Sequence, residues 1–407
     1  VSRYSQPGAS SSGASPRCTE EVASWAATHQ DDLIAFRRHL HAHPELSGEE
    51  HDTTDLVVER LTAAGHRPEV LDSGTGLVCD VGSPGAPPTV ALRADIDGLA
   101  MPDEKDVPYR SQNAGTAHAC GHDVHTTVVL GAGLALADRL RDAGASVRLI
   151  FEPAEEQVPG GAVEVIDAGW LEGVRAVYGL HCDPKLDVGT IGTRVGPITS
   201  AADQVFVVLR GPGGHTARPQ LTVDLVQVAA RFAIELPDLL AQIAPGEVLL
   251  VWGSLRAGDA SNVIPTTARL GGTLRTSERR VWEQAHALLA EASTRLLAPT
   301  GVEFEVDHRR GVPPVDNHRR ETELLDAAIA ASLGNDARVD TPRSAGADSF
   351  AWYLERTGGT YLRLGTHDPA SPRRFDLHVG DFDVDERAIA LGVRVLAAAV
   401  AAELSLP

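Results

Sequence analysis

The stretch HACGHDVHTTVVLGAGLALADRLRDAGASVRLIFEPAEE, residues 118–156, decides the architecture. Residues 122–142 read as a helix that begins inside the histidine-rich motif, and VRLIFEP (147–153) reads as a buried strand. The two ends of the stretch also carry chemistry. Cys120 and His122 flank Gly121, which places a soft sulfur beside an imidazole on a backbone that can bend. Such a pair is a natural start of a transition-metal site, or else a buried cysteine beside ordinary histidines. Glu155 and Glu156 follow the strand at the edge where open α/β sheets place their ligands. The competing reading is a solvated acidic loop.

Working outward, helices are expected at 20–43 and 48–64, and strands at 76–81 and 89–95. A helical stretch near 160–168 leads to the strand AVYGLH (176–181), which ends in His181. Alternation of this kind implies a largely parallel sheet covered by helices. The pattern changes near residue 198. Strands at 203–210, 247–256, 266–276 and 302–307 and helices at 220–242 and 279–298 follow the β-α-β-β-α-β order of a ferredoxin-like unit. Helices at 320–333, 346–356 and 385–403 and a strand at 360–364 then resume the first pattern. The expectation is an α/β catalytic domain, 18–196 plus 314–407, interrupted by a compact α+β domain at 197–313. A Ser/Gly/Pro-rich tail, 1–17, precedes it and is expected to be disordered.

Composition narrows the function. The 407-residue chain has a formal net charge of −20, which argues against nucleic acid or an anionic membrane as the main partner. Its longest apolar run, VVLGAGLALA (128–137), is too short to span a bilayer, and the first residues lack the apolar core of a secretion signal. Four cysteines in a chain this long do not make a disulfide framework, so a reducing, cytoplasmic setting is expected.

His378, in RRFDLHVGDFDVDE, joins the residues already named. Cys120, His122, Glu156, His181 and His378 offer one thiolate, three imidazoles and a carboxylate, too many for one tetrahedral ion with an open position. They suit two divalent ions sharing the thiolate. Zinc is the first choice, with manganese, cobalt or nickel compatible. Two such ions acidify a water between them, and Glu155 takes its proton and passes it to the leaving nitrogen of an amide. In GPGGHTARP (211–219), glycines expose His215, which could stabilise an oxyanion or simply occupy a hairpin loop. Asn262 and Arg275 lie near strand ends of the same domain. Arg275 suits a substrate carboxylate, with an ordinary strand-edge arginine as the alternative.

RRHLHAHPEL (37–46), RADIDGLAMPDE (93–104), HACGHDVHTT, FEPAEE (151–156), YGLH (178–181), GGHTARP (213–219), NVIP (262–265) and LHVGDFDVDE (377–386) occur in this order. Together they resemble the amidohydrolase branch of the zinc-dependent aminoacylase and carboxypeptidase family, over nearly the whole chain after the tail. The resemblance implies a di-metal catalytic domain with an inserted lid that often forms the homodimer. By position it implies Cys120, His122, Glu156, His181 and His378 as metal ligands, Glu155 as the catalytic base and His215 as the assisting lid histidine. It also implies Asp97, Asp123, His118 and His125 as support around the ligands. Glu49 and Glu50 read as the first turn of a helix. Two stretches depart from the family: GADSF (346–350) stands where Gly-x-Glu-Asp-Phe is common, and Gly380 where a proline is usual.

The expected substrate is a small N-acyl amino acid. A dipeptidase or carboxypeptidase with the same chemistry differs in whether the pocket takes an acyl group or an ammonium. A catalytically silent binding protein is disfavoured because Glu155 and every candidate ligand are present.

Overall fold

The computed structural model describes residues 15–406. Most of the expected N-terminal tail lies outside these residues, but its last two positions are helical. Helix α1 is Pro16–Thr28, started by the Ser15 hydroxyl, which accepts the Cys18 N–H at 3.2 Å, and by a proline at the first position. Proline suits that position because the N–H it lacks would have no helical partner. The expected helix 20–43 is two helices. The chain breaks at His29, which ends α1 and precedes α2, Gln30–Ala42.

Described residues fall into two compact units. One runs to Gly196 and includes Asn317–Thr341 and the residues from Tyr353 onward; the other is Pro197–Asp316 with Pro342–Trp352. In the first, α3 is His51–Ala63. Strands β1 (Glu69–Val70), β2 (Leu77–Gly82) and β3 (Val90–Asp95) lead to α4, His122–Asp142. Then come β4 (Ser146–Glu152), α5 (Ala162–Asp167), β5 (Ala176–Asp187) and β6 (Ile191–Thr193). Strand β5 therefore runs on past His181 rather than ending there, because its extension to Asp187 is paired in turn along a neighbouring strand.

The second unit contains β7 (Ala201–Arg210), α6 (Leu225–Ile243), β8 (Leu249–Ala257), β9 (Thr267–Thr276), α7 (Arg279–Leu297) and β10 (Glu303–Val312). Its antiparallel sheet has the order β8-β9-β7-β10. Val205, Val207 and Leu209 alternate inward from β7 onto Phe232, Leu236 and Leu289 of the two helices, the period of a sheet with one covered face. Residues 342–352 belong here because Arg343 pairs with Glu247 at 2.6 Å and Trp352 meets Trp282 edge-on at 6.2 Å.

The first unit resumes with α8 (Arg319–Leu333) and β11 (Arg338–Asp340). Ala351–Leu354 forms the short α9, and β12 (Gly358–His367) and α10 (Arg387–Glu403) follow. The helix expected at 346–356 is only this one turn. Asp348 accepts the Phe350 N–H at 2.8 Å, so 346–350 is a capping loop rather than helix. The eight-stranded sheet has the order β1-β2-β4-β3-β5-β12-β6-β11. It is parallel through its centre, β4-β3-β5-β12, and antiparallel at β1-β2, β2-β4 and β12-β6. Helices α4 and α10 carry the core: Val124, Val128 and Leu136 pack with Val393, Leu396 and Val400 in one apolar cluster. Among the described residues no helix is long and apolar enough to cross a membrane.

Candidate metal centre

Gly121 sets the geometry of the opening motif. It precedes α4 with φ +91, a conformation that L side chains rarely adopt. A Cβ there would stand 2.8 Å from Cys182 Sγ, so glycine is required by space as well as by backbone. The turn leaves Cys120 before the helix and His122 as its first residue, both buried.

The first unit brings all five candidate ligands together. Cys120 Sγ lies 3.4 Å from His181 Nε2 and 3.3 Å from His378 Nε2. His378 Nε2 lies 3.2 Å from Glu156 Oε1, and His122 Nε2 lies 4.0 Å from the same oxygen. Potential ligand atoms of Cys120, His122 and His181 fall within 4.8 Å of one another, as do those of Cys120, Glu156 and His378. The sulfur is thus common to two trios. Glu155 joins His122 and Glu156 in a third group of the same size.

Hydrogen bonds fix which nitrogen each histidine offers. His122 Nδ1 donates to Asp97 Oδ1 at 3.1 Å and His181 Nδ1 donates to the Cys182 carbonyl at 2.7 Å. Each ring therefore turns an Nε2 lone pair inward, the arrangement that metal-binding histidines use. His122 Nε2 is buried with no hydrogen-bond partner. Such an orphaned nitrogen, facing a thiol and a carboxylate, fits a divalent cation of the zinc type. His125 also stands within reach of His122 and Asp95, but both its nitrogens are committed: Nδ1 donates to Asp95 at 2.6 Å and Nε2 accepts the Cys182 N–H at 2.8 Å. It orients; it has nothing left to offer an ion.

Burial shapes the electrostatics. It pushes the Cys120 thiol far up, so the thiolate needs a nearby cation. It also takes the His118 imidazole down to about 3. For Asp95, burial alone would raise the carboxyl, but His122, His125 and Arg93 hold it well below the usual range. The Glu156 carboxylate raises His378.

Asp97 connects three parts of the centre. Besides His122, it accepts the Glu156 N–H at 3.0 Å and the Ser47 hydroxyl at 2.6 Å. Asp123 points elsewhere: it receives Arg37 Nε at 2.6 Å and His41 Nδ1 at 2.7 Å, and so ties α4 to α2. Sequence reasoning missed Asp95, although its alternation with Asp97 at the end of β3 was a readable signal. It also misread Glu50, which is buried and accepts the Ala154 N–H at 2.7 Å in the turn before Glu155.

His215, Asn262 and Arg275 lie in the second unit. His215 pairs with Val263 in a two-residue ladder, and the Asn262 carbonyl accepts the Thr216 N–H at 3.3 Å, so these two loops are neighbours. Arg275 donates to the Ala345 carbonyl at 2.7 Å and lines a cavity of about 840 Å³ with Ser277, Glu278 and Arg343.

With this geometry in hand, likeness to known proteins is informative. Residues 91–402 match the model of peptidase family M20/M25/M40. N-acetyl-L-cysteine deacetylase of Bacillus subtilis is 35% identical over 366 residues, 89% of this chain and 86% of that protein. A Rhodococcus jostii protein provisionally named glutamate–cysteine ligase 2-3 is 45% identical over 368 residues, 90% of this chain but only 46% of its own length. The crystal structure of a dinuclear metal binding peptidase of the M20 family from Bacillus subtilis superposes with a TM-score of 0.82 at 29% identity, covering 94% of this chain and 100% of that one. The chain belongs to peptidase family M20/M25/M40. It is an enzyme of that hydrolase family, of the amidohydrolase type.

Proposed function

We propose that the chain hydrolyses the amide bond of N-acyl amino acids, releasing a carboxylic acid and a free amino acid. Cys120, His122, Glu156, His181 and His378 would hold two divalent cations, zinc first among them. The observation that carries this reading is the single Cys120 sulfur, 3.4 Å from His181 and 3.3 Å from His378, common to two ligand trios. The description of the similar Bacillus subtilis structure as dinuclear supports the count of two. When bound, such cations supply Lewis acidity that polarises the scissile carbonyl and acidifies water.

The chain's own residues do the rest. Glu155, grouped with His122 and Glu156, takes a proton from the attacking water and returns it to the leaving nitrogen. Asp97 keeps the His122 proton on Nδ1 and holds the backbone of Glu156. We assign to the second unit the part of a ferredoxin-like lid, with His215 as oxyanion donor and Asn262 and Arg275 as substrate contacts. We further assign it the homodimer contact. Its edge strand β8 exposes Leu249, Val251 and Leu255, which supports pairing with a second copy. Four free, buried cysteines support a reducing, cytoplasmic setting.

An acyl pocket rather than an ammonium pocket is favoured by likeness to a deacetylase. The test is a panel of N-acetyl and longer N-acyl amino acids set beside dipeptides. Release of amino acid from the N-acyl set is expected. In Glu155→Gln turnover should fall by about 10²–10⁴ while metal content, measured by elemental analysis, is kept. Turnover of dipeptides alone would favour the peptidase reading, and full activity in the variant would remove Glu155 from the chemistry.

A further inference from the structure

Arg363 stands on β12 opposite His181 on β5, in parallel register. Residues so paired turn their side chains to the same face of the sheet. Arg363 therefore shares the face that carries the candidate centre. Two residues earlier, Tyr361 stands 6.3 Å from the His181 ring, and the Arg363 guanidinium lies 5.6 Å from the Tyr361 ring.

What sets this arginine apart is the anion it lacks. Arg37 is paired with Asp123 at 2.6 Å, Arg93 with Asp95 and Glu152 at 2.7 and 2.6 Å, and Arg148 with Asp80 at 2.7 Å. Arg363 is only 8% exposed. Yet among the described residues its guanidinium has the Tyr361 ring for a neighbour and no carboxylate at ion-pair distance. Nor is any of its nitrogens sealed away, as the Nε atoms of Arg194 and Arg394 are. A nearly buried, unpaired guanidinium is costly unless something else supplies the negative charge. On the other side of β12 the register partner is Gly192, where a Cβ would stand 3.2 Å from Arg363 Cβ and 2.9 Å from Thr341 Cβ, so glycine is what lets the arginine's strand lie this close.

We propose that Arg363 receives a carboxylate of the substrate beside His181. The planar fork of a guanidinium matches a carboxylate with two parallel hydrogen bonds. This inference rests on the first unit's cluster being the hydrolytic centre. The carboxylate has two possible sources of the same chemistry, the α-carboxylate of the amino acid or an acid on the acyl group.

The experiment compares N-acetylalanine, N-acetylalaninamide and N-succinylalaninamide with the metal-loaded wild type, Arg363→Gln and Arg363→Lys. Arg363→Gln should lower kcat/KM for one carboxylate-bearing substrate, relative to neutral N-acetylalaninamide, by about tenfold to a hundredfold, mainly through KM. Loss confined to N-acetylalanine identifies the α-carboxylate; loss confined to N-succinylalaninamide identifies the acyl acid. Arg363→Lys keeps the charge without the fork and should show a smaller loss of the same pattern; it carries the test if the glutamine variant does not fold. An unchanged ratio, or equal loss for all three compounds, overturns the proposal. A second readout does not need turnover: calorimetric binding of N-acetylalanine and N-succinylalaninamide to Glu155→Gln, with and without Arg363→Gln. Wild type that hydrolyses none of the compounds would sink the function proposed above. Carboxylate binding weakened by Arg363→Gln would still support Arg363, and unaltered binding would overturn it.

Discussion

Glu50 accepts the backbone N–H of Ala154 at 2.7 Å, joining residues 104 positions apart. Ala154 has φ +53, the left-handed region, and the next residue is Glu155. A buried carboxylate at the start of α3 thus holds the strained turn that presents the candidate base. Removing the acceptor in Glu50→Ala leaves a poorly solvated N–H. It should cost about 1–3 kcal/mol in denaturant unfolding and lower kcat/KM as well. Glu50→Gln keeps an acceptor oxygen and should recover most of both. An alanine variant equal to wild type in both measurements would mean that the turn stands without Glu50.

Asp97 holds both a ligand ring and a ligand backbone. Asp97→Ala should weaken divalent-metal affinity by about ten- to a hundredfold, the usual effect of removing the partner behind a metal-binding histidine. Competition with a coloured chelator measures it. Affinity equal to wild type would show that His122 and Glu156 are oriented by other contacts.

Cys120 contributes to both trios. Cys120→Ala should therefore lower the metal content per chain by more than one ion's share, whereas His378→Ala touches one trio only. Stripping wild type with a chelator should abolish turnover, and added divalent metal should restore it. Activity that survives complete stripping would contradict a metal-dependent site.

Asp103 offers a test by pH. It is buried, which alone would raise its carboxyl. Hydrogen bonds from His41, from the Ser111 and Lys105 backbone N–H groups and from Lys105 Nζ instead take it well below the usual carboxylate range. Its folded-state value lies below its unfolded value, so its contribution to stability is present above about pH 4 and is lost as pH falls through the folded value. Asp103→Asn should be less stable than wild type at neutral pH, and the gap should close on acidification below about pH 4. A gap constant from pH 7 to pH 3 would rule out this linkage.

Much of the first unit was legible because its signals are local. Helix α4 starts at His122 and ends at Asp142, as the apolar run after the motif indicates. The cluster of Cys120, His122, Glu156, His181 and His378 could be named from residue types at strand and helix ends. Other parts depend on partners that no local pattern announces. Strand β5 continues to Asp187 because β12 pairs along it, and the Asp348 cap turns most of an expected helix into loop. Asp123 follows the ligand candidate His122 directly in the chain, but Arg37 and His41 draw it toward α2. Glu50 resembles any acidic first turn until Ala154 comes to lie against it. Arg363 acquires meaning only once β12 is set beside β5.

The two trios around Cys120 share an atom but not an environment. His122 and His181 are sealed in the interior, whereas the His378 side chain is about half exposed, 51% by surface, on a loop held at Ala119. Solvent can reach one half of the pair without disturbing the sheet, while the other half opens only with the helix beneath it. Any ion on the His378 side should accordingly have the shorter residence time. Isotope exchange with labelled metal would then be biphasic, with a fast component that His378→Ala speeds further.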